Sequence, residues 1–393
     1  MKKISTGLAV GSLLLSSFNA IANSGEKLRI ATFNVSMEAF NYLGDRSQKP
    51  TGKELEHALT SNHKQINNIA EIIQKTNPDI ILLNEFDRQD DNLATLKLFL
   101  DKYLEKSQQN STPIKYPYLF QGPVNTGVKS SVDFNNNGKS AETPTDTYGF
   151  GLFPGHFGMA MLSKYPINEE LIRTFQYFKW KDMPGALKPV NPSDNSNYYN
   201  DEAWQEFRLP SKSMWDIPVK VGDKTLHIIA SHPTPPVFDG PEDRNGKRNH
   251  DEIRLVNDYI STGKDSYIYD DNKRYGGLGK NKRFVILGDL NASSVDGDAI
   301  NDGINGLTTN RLLIDPMPAS DGAKAHSLEN KHGKHHTAHW RMRADYVLPS
   351  SYGMNLLNSG VFWPTIESED YRLIKDRAAS SDHRLVWIDV ELK

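Results

Sequence analysis

Five apolar, β-branched runs each carry an ionisable or amide side chain at one end, and a chain written this way folds into sheets that share a polar edge. Leu28–Phe33 ends at Asn34, and Ile80–Leu83 leads through Asn84 to Glu85. Ile228–Ser231 ends at His232, and Phe284–Gly288 ends at Asp289-Leu290-Asn291. Ser381-Asp382-His383 opens directly onto the run Arg384–Ile388. Groups anchored at the ends of rigid strands keep their mutual geometry, which is what catalysis requires. A metal-dependent active site is therefore the leading expectation.

The rest of the chain reads as sheet layers covered by helices. A helix is predicted from His63 to Thr76, with Ile66, Ile69, Ile72 and Ile73 on one face and Asn77-Pro78 as its stop. A second is predicted from about Asn92 to Leu104 and a third from about Asn249 to Ile260. Asp216–Val221 and Thr225–Ala230 form a hairpin around Gly222-Asp223. Further strands are expected at Gly158–Ser163, Ala344–Leu348 and Arg384–Leu392. Long polar loops fall near 121–157, 180–214 and 233–248. They interrupt the strand series rather than divide it, so residues 26–393 are expected to form one domain.

Lys2-Lys3, the apolar stretch from Leu8 to Phe18 and Ala20-Ile21-Ala22 read as a secretory signal peptide over residues 1–22. The stretch is shorter than a bilayer span needs, so the expectation is a secreted or periplasmic, membrane-free monomer. The chain has no cysteine, which rules out disulfides, and its formal net charge of −3 argues against a broadly basic nucleic-acid surface.

Hydrolysing a phosphoester needs charge neutralisation, an activated water and help for the leaving oxygen. Glu85 and Asp382, supported by the Asn34 carbonyl oxygen, suit a hard cation such as Mg²⁺ or Mn²⁺. Asp289 with Asn291 can position and deprotonate a water. His232 and His383 can donate to phosphate oxygens, and a buried carboxylate such as Asp345 can keep one imidazole protonated and aimed.

Taken in order, Asn34, Pro78-Asp79-Ile80-Ile81-Leu82-Leu83-Asn84-Glu85, Gly288-Asp289-Leu290-Asn291, Ala344-Asp345-Tyr346-Val347 and Ser381-Asp382-His383 resemble the endonuclease/exonuclease/phosphatase superfamily. Gly158-Met159-Ala160-Met161-Leu162-Ser163 is similar to that group's central strand. The resemblance implies a four-layer α/β/β/α sandwich of two packed, mainly antiparallel sheets flanked by helices. It implies metal contacts from Asn34, Glu85 and Asp382, Asp289 as the base, Asn291 as a phosphate contact, an Asp345–His383 pair, and His232 as a second phosphate-binding histidine. The substrate would be a phosphoester, a phosphodiester by preference: a small organic phosphodiester, a lipid headgroup or a nucleic acid, with a phosphomonoesterase as the alternative. A non-catalytic binding protein on the same fold is the rival of a different class.

Three further segments carry expectations of their own. The 233–248 loop is long and polar, and Arg244 or Arg248 on it is a candidate substrate contact. Asp133-Phe134-Asn135-Asn136-Asn137-Gly138 matches the opening of a calcium loop but has Pro144 where the closing acid belongs. Asp133, Asn135 and Asn137 are thus candidate ligands for a structural Ca²⁺, with an ordinary Asn/Gly turn as the alternative. His326, His332, His335, His336 and His339 read as surface histidines on a loop rather than a metal cluster.

Overall fold

A computed structural model describes residues 25–45, 47–89 and 91–393. The leader expected over residues 1–22 lies outside them. The strands are β1 (Glu26–Met37), β2 (Ile80–Phe86), β3 (Tyr118–Phe120), β4 (Met159–Ser163), β5 (Arg173–Thr174), β6 (Met214–Val221), β7 (Lys224–Ser231), β8 (Arg283–Asp289), β9 (Asp345–Pro349), β10 (Met354–Val361) and β11 (Val386–Leu392). The α-helices are α1 (Glu54–Thr60), α2 (Lys64–Thr76), α3 (Ala94–Phe99), α4 (Asp201–Glu206), α5 (Arg244–Ile260), α6 (Asn301–Thr308) and α7 (Asp321–His326). The strands form a six-stranded sheet, β10-β11-β1-β2-β4-β3, and a five-stranded sheet, β5-β6-β7-β8-β9. Helices flank the pair, giving the sandwich that the motif order implies.

Period-two alternation builds the layers. Leu226, Ile228 and Ala230 of β7, Val285 and Leu287 of β8 and Val347 of β9 enter the core shared with the first sheet. Their neighbours Ile229, Phe284, Ile286, Tyr346 and Leu348 face the other way, against Ile253, Val256 and Tyr259 of α5 and Ile304 and Leu307 of α6. The stripe Ile66, Ile69, Ile72 and Ile73 of α2 packs into the shared core. That helix ends at Asn77, a left-handed cap whose N–H donates to Ile73 O.

Each sheet contains one parallel pair, β1 with β2 and β7 with β8, among antiparallel neighbours. Parallel strands end on the same side, so Asn34 and Glu85 exit together, as do His232 and Asp289. β9 and β11 run antiparallel to β8 and β1, so Asp345 and His383 enter on that same side. β1 packs on β8 and β9, which brings the two polar edges into register.

Three predicted segments come out differently, the first being the 180–214 loop, which contains α4 (Asp201–Glu206). Residues 244–248 are not loop but the first turns of α5. The polar run Arg-Asn-Gly-Lys-Arg masks that helix because several of its polar residues point inward. The segment 100–104 after α3 winds as a π turn rather than continuing the α-helix.

Candidate active site

The strand ends are locally bent where they meet. β1 shifts register between Asn34 and Met37, with Ser36 at φ 46°, and Glu85 and Asn291 sit at φ 54° and 51°. Left-handed backbone at non-glycine residues costs energy and is concentrated at functional sites. Gly288 lets β7 and β8 close up immediately before Asp289, because a Cβ there would collide with Ser231 O.

His383 lies between two carboxylates. Its Nδ1 is 3.0 Å from Asp345 Oδ2 and its Nε2 is 3.5 Å from Asp289 Oδ2. Burial would lower its pKa, but the Asp345 and Asp289 carboxylates outweigh burial and raise it to about 10. The ring is an imidazolium at neutral pH. Thr337 Oγ1 donates to Asp345 Oδ2 at 2.7 Å and accepts from the backbone N–H groups of Ala344 and Asp345, which locks the carboxylate in place. Asp289 also accepts from Asn34 Nδ2 at 3.1 Å and from the Asn291 backbone at 2.9 Å. Its backbone N–H donates to Asn84 Oδ1, an amide oxygen that Thr32 also holds, and this bridges the two sheets.

Glu85 faces the other side of Asp289. A carboxylate oxygen of Glu85, a ring nitrogen of His232 and a carboxylate oxygen of Asp289 lie within 4.8 Å of one another. Burial first, then the nearby Asp382 and Glu38 carboxylates, push Glu85 up to about 7 against the opposing pull of His383. Burial, with Lys212 and His383 nearby, holds His232 well below the ordinary histidine value, so it is neutral at pH 7. Its Nε2 is 3.5 Å from Asp289 Oδ2, while its Nδ1 is buried with no partner among the described residues. This is a group of under-neutralised oxygens beside one neutral imidazole. Such a donor set fits Mg²⁺ or Mn²⁺.

Helix α5 braces the site. Asn249 Nδ2 donates to Thr234 O and Leu290 O, so one amide fixes both the His232 and the Asp289 loops. Three residues on, Glu252 accepts from the backbone N–H groups of Ser211 at 2.5 Å and Thr234 at 2.6 Å. Between Ser211 and Ser213 sits Lys212, only 6% exposed, with Glu252, Glu85 and Asp289 as the carboxylates acting on it. Among the described residues none of them comes within 4.0 Å of its ammonium. Sequence reading misses Lys212, Thr337, Asn249 and Glu252. Only Lys212 leaves a trace, as a cation immediately before an apolar strand.

The remaining expected residues divide. Asn291 is buried beside Asp289 and donates from Nδ2 to Pro233 O. Asp382 borders the site but stands outside the tight group: it accepts from Ser36 Oγ at 3.2 Å and pairs with Arg377 at 3.4 Å. Arg244 and Arg248 are not brought to the site. Arg244 pairs with Glu242 two residues away. Arg248 is buried and donates to the carbonyls of Leu209, Tyr148 and Arg208, so its charge ties loops together.

The 133–137 segment closes on itself in Asx turns. Asp133 accepts from the Asn137 and Gly138 amides, and Asn135 accepts from Asn137. Asp146 is fully buried and turns its carboxylate to the Phe134 and Glu142 amides. Of the 326–339 histidines, His326 ends α7, His335 closes a short turn at Gly333–His335 and His336 is buried between Ser327 and Asp296, so the expected surface loop holds only in part.

Residues 31–383 match the sequence family described as endonuclease/exonuclease/phosphatase. Among solved structures, an endonuclease/exonuclease/phosphatase from Beutenbergia cavernae DSM 12333 is similar at 17% identity, over 93% of this chain and 72% of its own, with a TM-score of 0.52. A family protein from Leptotrichia buccalis C-1013-b aligns over 93% and 100% of the two chains at 14% identity and a TM-score of 0.46. A Staphylococcus aureus beta toxin mutant with bound magnesium ions aligns over 94% and 100% at 15% identity and a TM-score of 0.42. No curated protein sequence matches.

Proposed function

The chain belongs to the endonuclease/exonuclease/phosphatase family of metal-dependent phosphoric ester hydrolases, and from that premise we propose that it is an exported phosphodiesterase working by in-line attack of an activated water. One observation carries the reading. Asp289 is shared between an imidazolium on one side and the Glu85–His232 group on the other, so a base, a proton-bearing cation and a metal-binding carboxylate meet at one carboxyl group.

Glu85 and the Asn34 amide oxygen would hold the cation, with Asp382 closing the position from its partly buried seat. A divalent ion bound there supplies charge neutralisation for a phosphate oxygen. The chain's own groups do the rest. Asp289, desolvated and raised above the ordinary carboxylate range, accepts the proton of the attacking water. His383, fixed by Asp345, and the single N–H of neutral His232 donate to phosphate oxygens as charge builds on them. Lys212 adds a buried positive charge facing the same carboxylates.

Export rests on the Lys2-Lys3 start, the apolar stretch and Ala20-Ile21-Ala22. Among the described residues no helix is long and apolar enough to cross a membrane. The test is hydrolysis of bis-p-nitrophenyl phosphate, plasmid DNA, sphingomyelin and p-nitrophenyl phosphate by the purified chain with Mg²⁺, Mn²⁺ or EDTA. Metal-dependent turnover of a diester well above the monoester is expected. A preference for the monoester would overturn the diesterase assignment, and cleavage of DNA alone would make the enzyme a nuclease.

A further inference from the structure

Trp340 is 46% exposed, yet its indole meets the ring of His383 at a centroid distance of 4.7 Å and an angle of 85°. It is a large apolar side chain open to solvent and in direct contact with an active-site imidazole. The edge-on arrangement leaves at least one indole face uncovered by His383, whichever ring supplies the edge. Among the described residues no second ring packs on it. A lone exposed apolar residue ordinarily needs no explanation. The contact with His383 and the way its backbone is held set this one apart.

Trp340 sits in a tight turn that is tied to the catalytic segment. The Arg341 N–H donates to Ala338 O, and the Thr337 and Ala338 N–H groups donate to Met342 O, which closes the turn with Arg341 at φ 68°. Two further bonds lace the turn to the residues around His383. The His339 N–H donates to Asp382 O at 2.7 Å, and the Arg384 N–H donates to Thr337 O at 2.8 Å. The indole is therefore fixed beside His383 before any substrate arrives.

We propose that Trp340 is a specificity-determining residue whose open face stacks on a flat aromatic or heteroaromatic ring carried by one ester group of the phosphodiester. The inference rests on the phosphodiesterase reading and names its substrate class. Because the indole touches the imidazole that donates to phosphate, an ester group leaving the phosphate on that side would run along it. A quaternary ammonium is the other ligand an indole takes, but such cations are held by several rings together. Here one ring stands alone, and cations border it. Arg341 is exposed beside it in the turn, and Arg377 pairs with Asp382, whose carbonyl the turn grips. A neutral ring stacks without repulsion from those charges.

Calorimetric titration of the full chain in Mg²⁺ buffer with phenylphosphonate, methylphosphonate and phosphocholine tests the proposal. The two phosphonates share a non-hydrolysable anionic group and differ in the ring. Phenylphosphonate should bind about tenfold or more tighter than methylphosphonate. Trp340→Ala should remove that difference by weakening phenylphosphonate alone, and Trp340→Phe should keep most of it. Equal affinities for the two phosphonates in the wild-type chain would overturn the assignment. So would an equal loss of both in Trp340→Ala, which would make the indole a support for His383. Phosphocholine bound more tightly than phenylphosphonate, and weakened by Trp340→Ala, would give the turn to a cationic headgroup instead. Binding of neither phosphonate up to about 10 mM would sink the phosphodiesterase reading together with this one.

Discussion

Around His383 each carboxylate has a cation beside it. An imidazolium sits between two carboxylates, and a threonine held by two backbone amides fixes one of them. Around Glu85 the carboxylates are not so matched: a carboxylate pushed up to about 7 faces a neutral imidazole and further acids. The same strand edge thus carries one half that is complete in itself and one half whose electrostatics call for an added cation. A buried carboxylate left without a partner is costly, so the second half is held at the expense of stability while the first is fixed by its hydrogen bonds.

Removing the matched half should cost most. His383→Ala and Asp289→Ala are each expected to lower kcat by about 10³-fold or more at saturating metal, with the fold retained by circular dichroism. Near-wild-type turnover by His383→Ala would show that its paired charges serve structure alone.

Glu85→Gln tests the unmatched half in both directions. It should lower kcat by about 10²- to 10³-fold and abolish the rise in Tm on adding Mg²⁺. The pH sign is fixed by the raised pKa. Glu85 in the folded chain holds its proton up to about 7, above its ordinary value of 4.5. Its stabilising contribution is therefore present below about pH 4.5 and lost as pH rises through 7. In EDTA, Glu85→Gln should match wild type near pH 4.5 and melt a few degrees higher at pH 8, as read by scanning calorimetry. An equal melting point at pH 8 would mean that Glu85 is already neutralised within the chain.

Lys212→Met asks whether the buried ammonium facing the acidic half acts on substrate. A roughly 10- to 100-fold fall in kcat/KM is expected without loss of Tm, since a desolvated ammonium is replaced by an apolar chain of similar length. The smallest effect should come from Thr337→Val, which removes the hydrogen bond to the Asp345 carboxylate and the acceptor of the Ala344 and Asp345 N–H groups. About 1 kcal/mol corresponds to a roughly fivefold loss in kcat, together with a lower His383 pKa by NMR titration.

How much of this is legible in the sequence depends on which force shapes each part. β1, β2, β7, β8 and β9 can be read because alternation and burial coincide in them, and their end residues can be read with them. β10 escapes notice because Met354–Val361 is an edge strand with half-exposed positions and no apolar alternation. α1 hides in a polar stretch for a similar reason. Residues that act through backbone contacts leave no pattern at all. Thr337, Asn249 and Glu252 look like ordinary polar residues until the fold places carbonyls, amides and a carboxylate around them. Arg248 shows the reverse case: a cation in a polar run suggests a ligand contact, but burial among carbonyls gives it a structural task.

Asn249 and Glu252 also make α5 a ruler for the active site. Three residues apart on one helical face, they set the spacing of three loops that are far apart in the chain. One residue inserted between them would swing Glu252 round by about 100° and release Ser211 and Thr234 while leaving Asn249 engaged. The catalytic loops would then drift relative to one another with every reactive side chain still present, so distance from the chemistry is no guide to which mutations this enzyme tolerates.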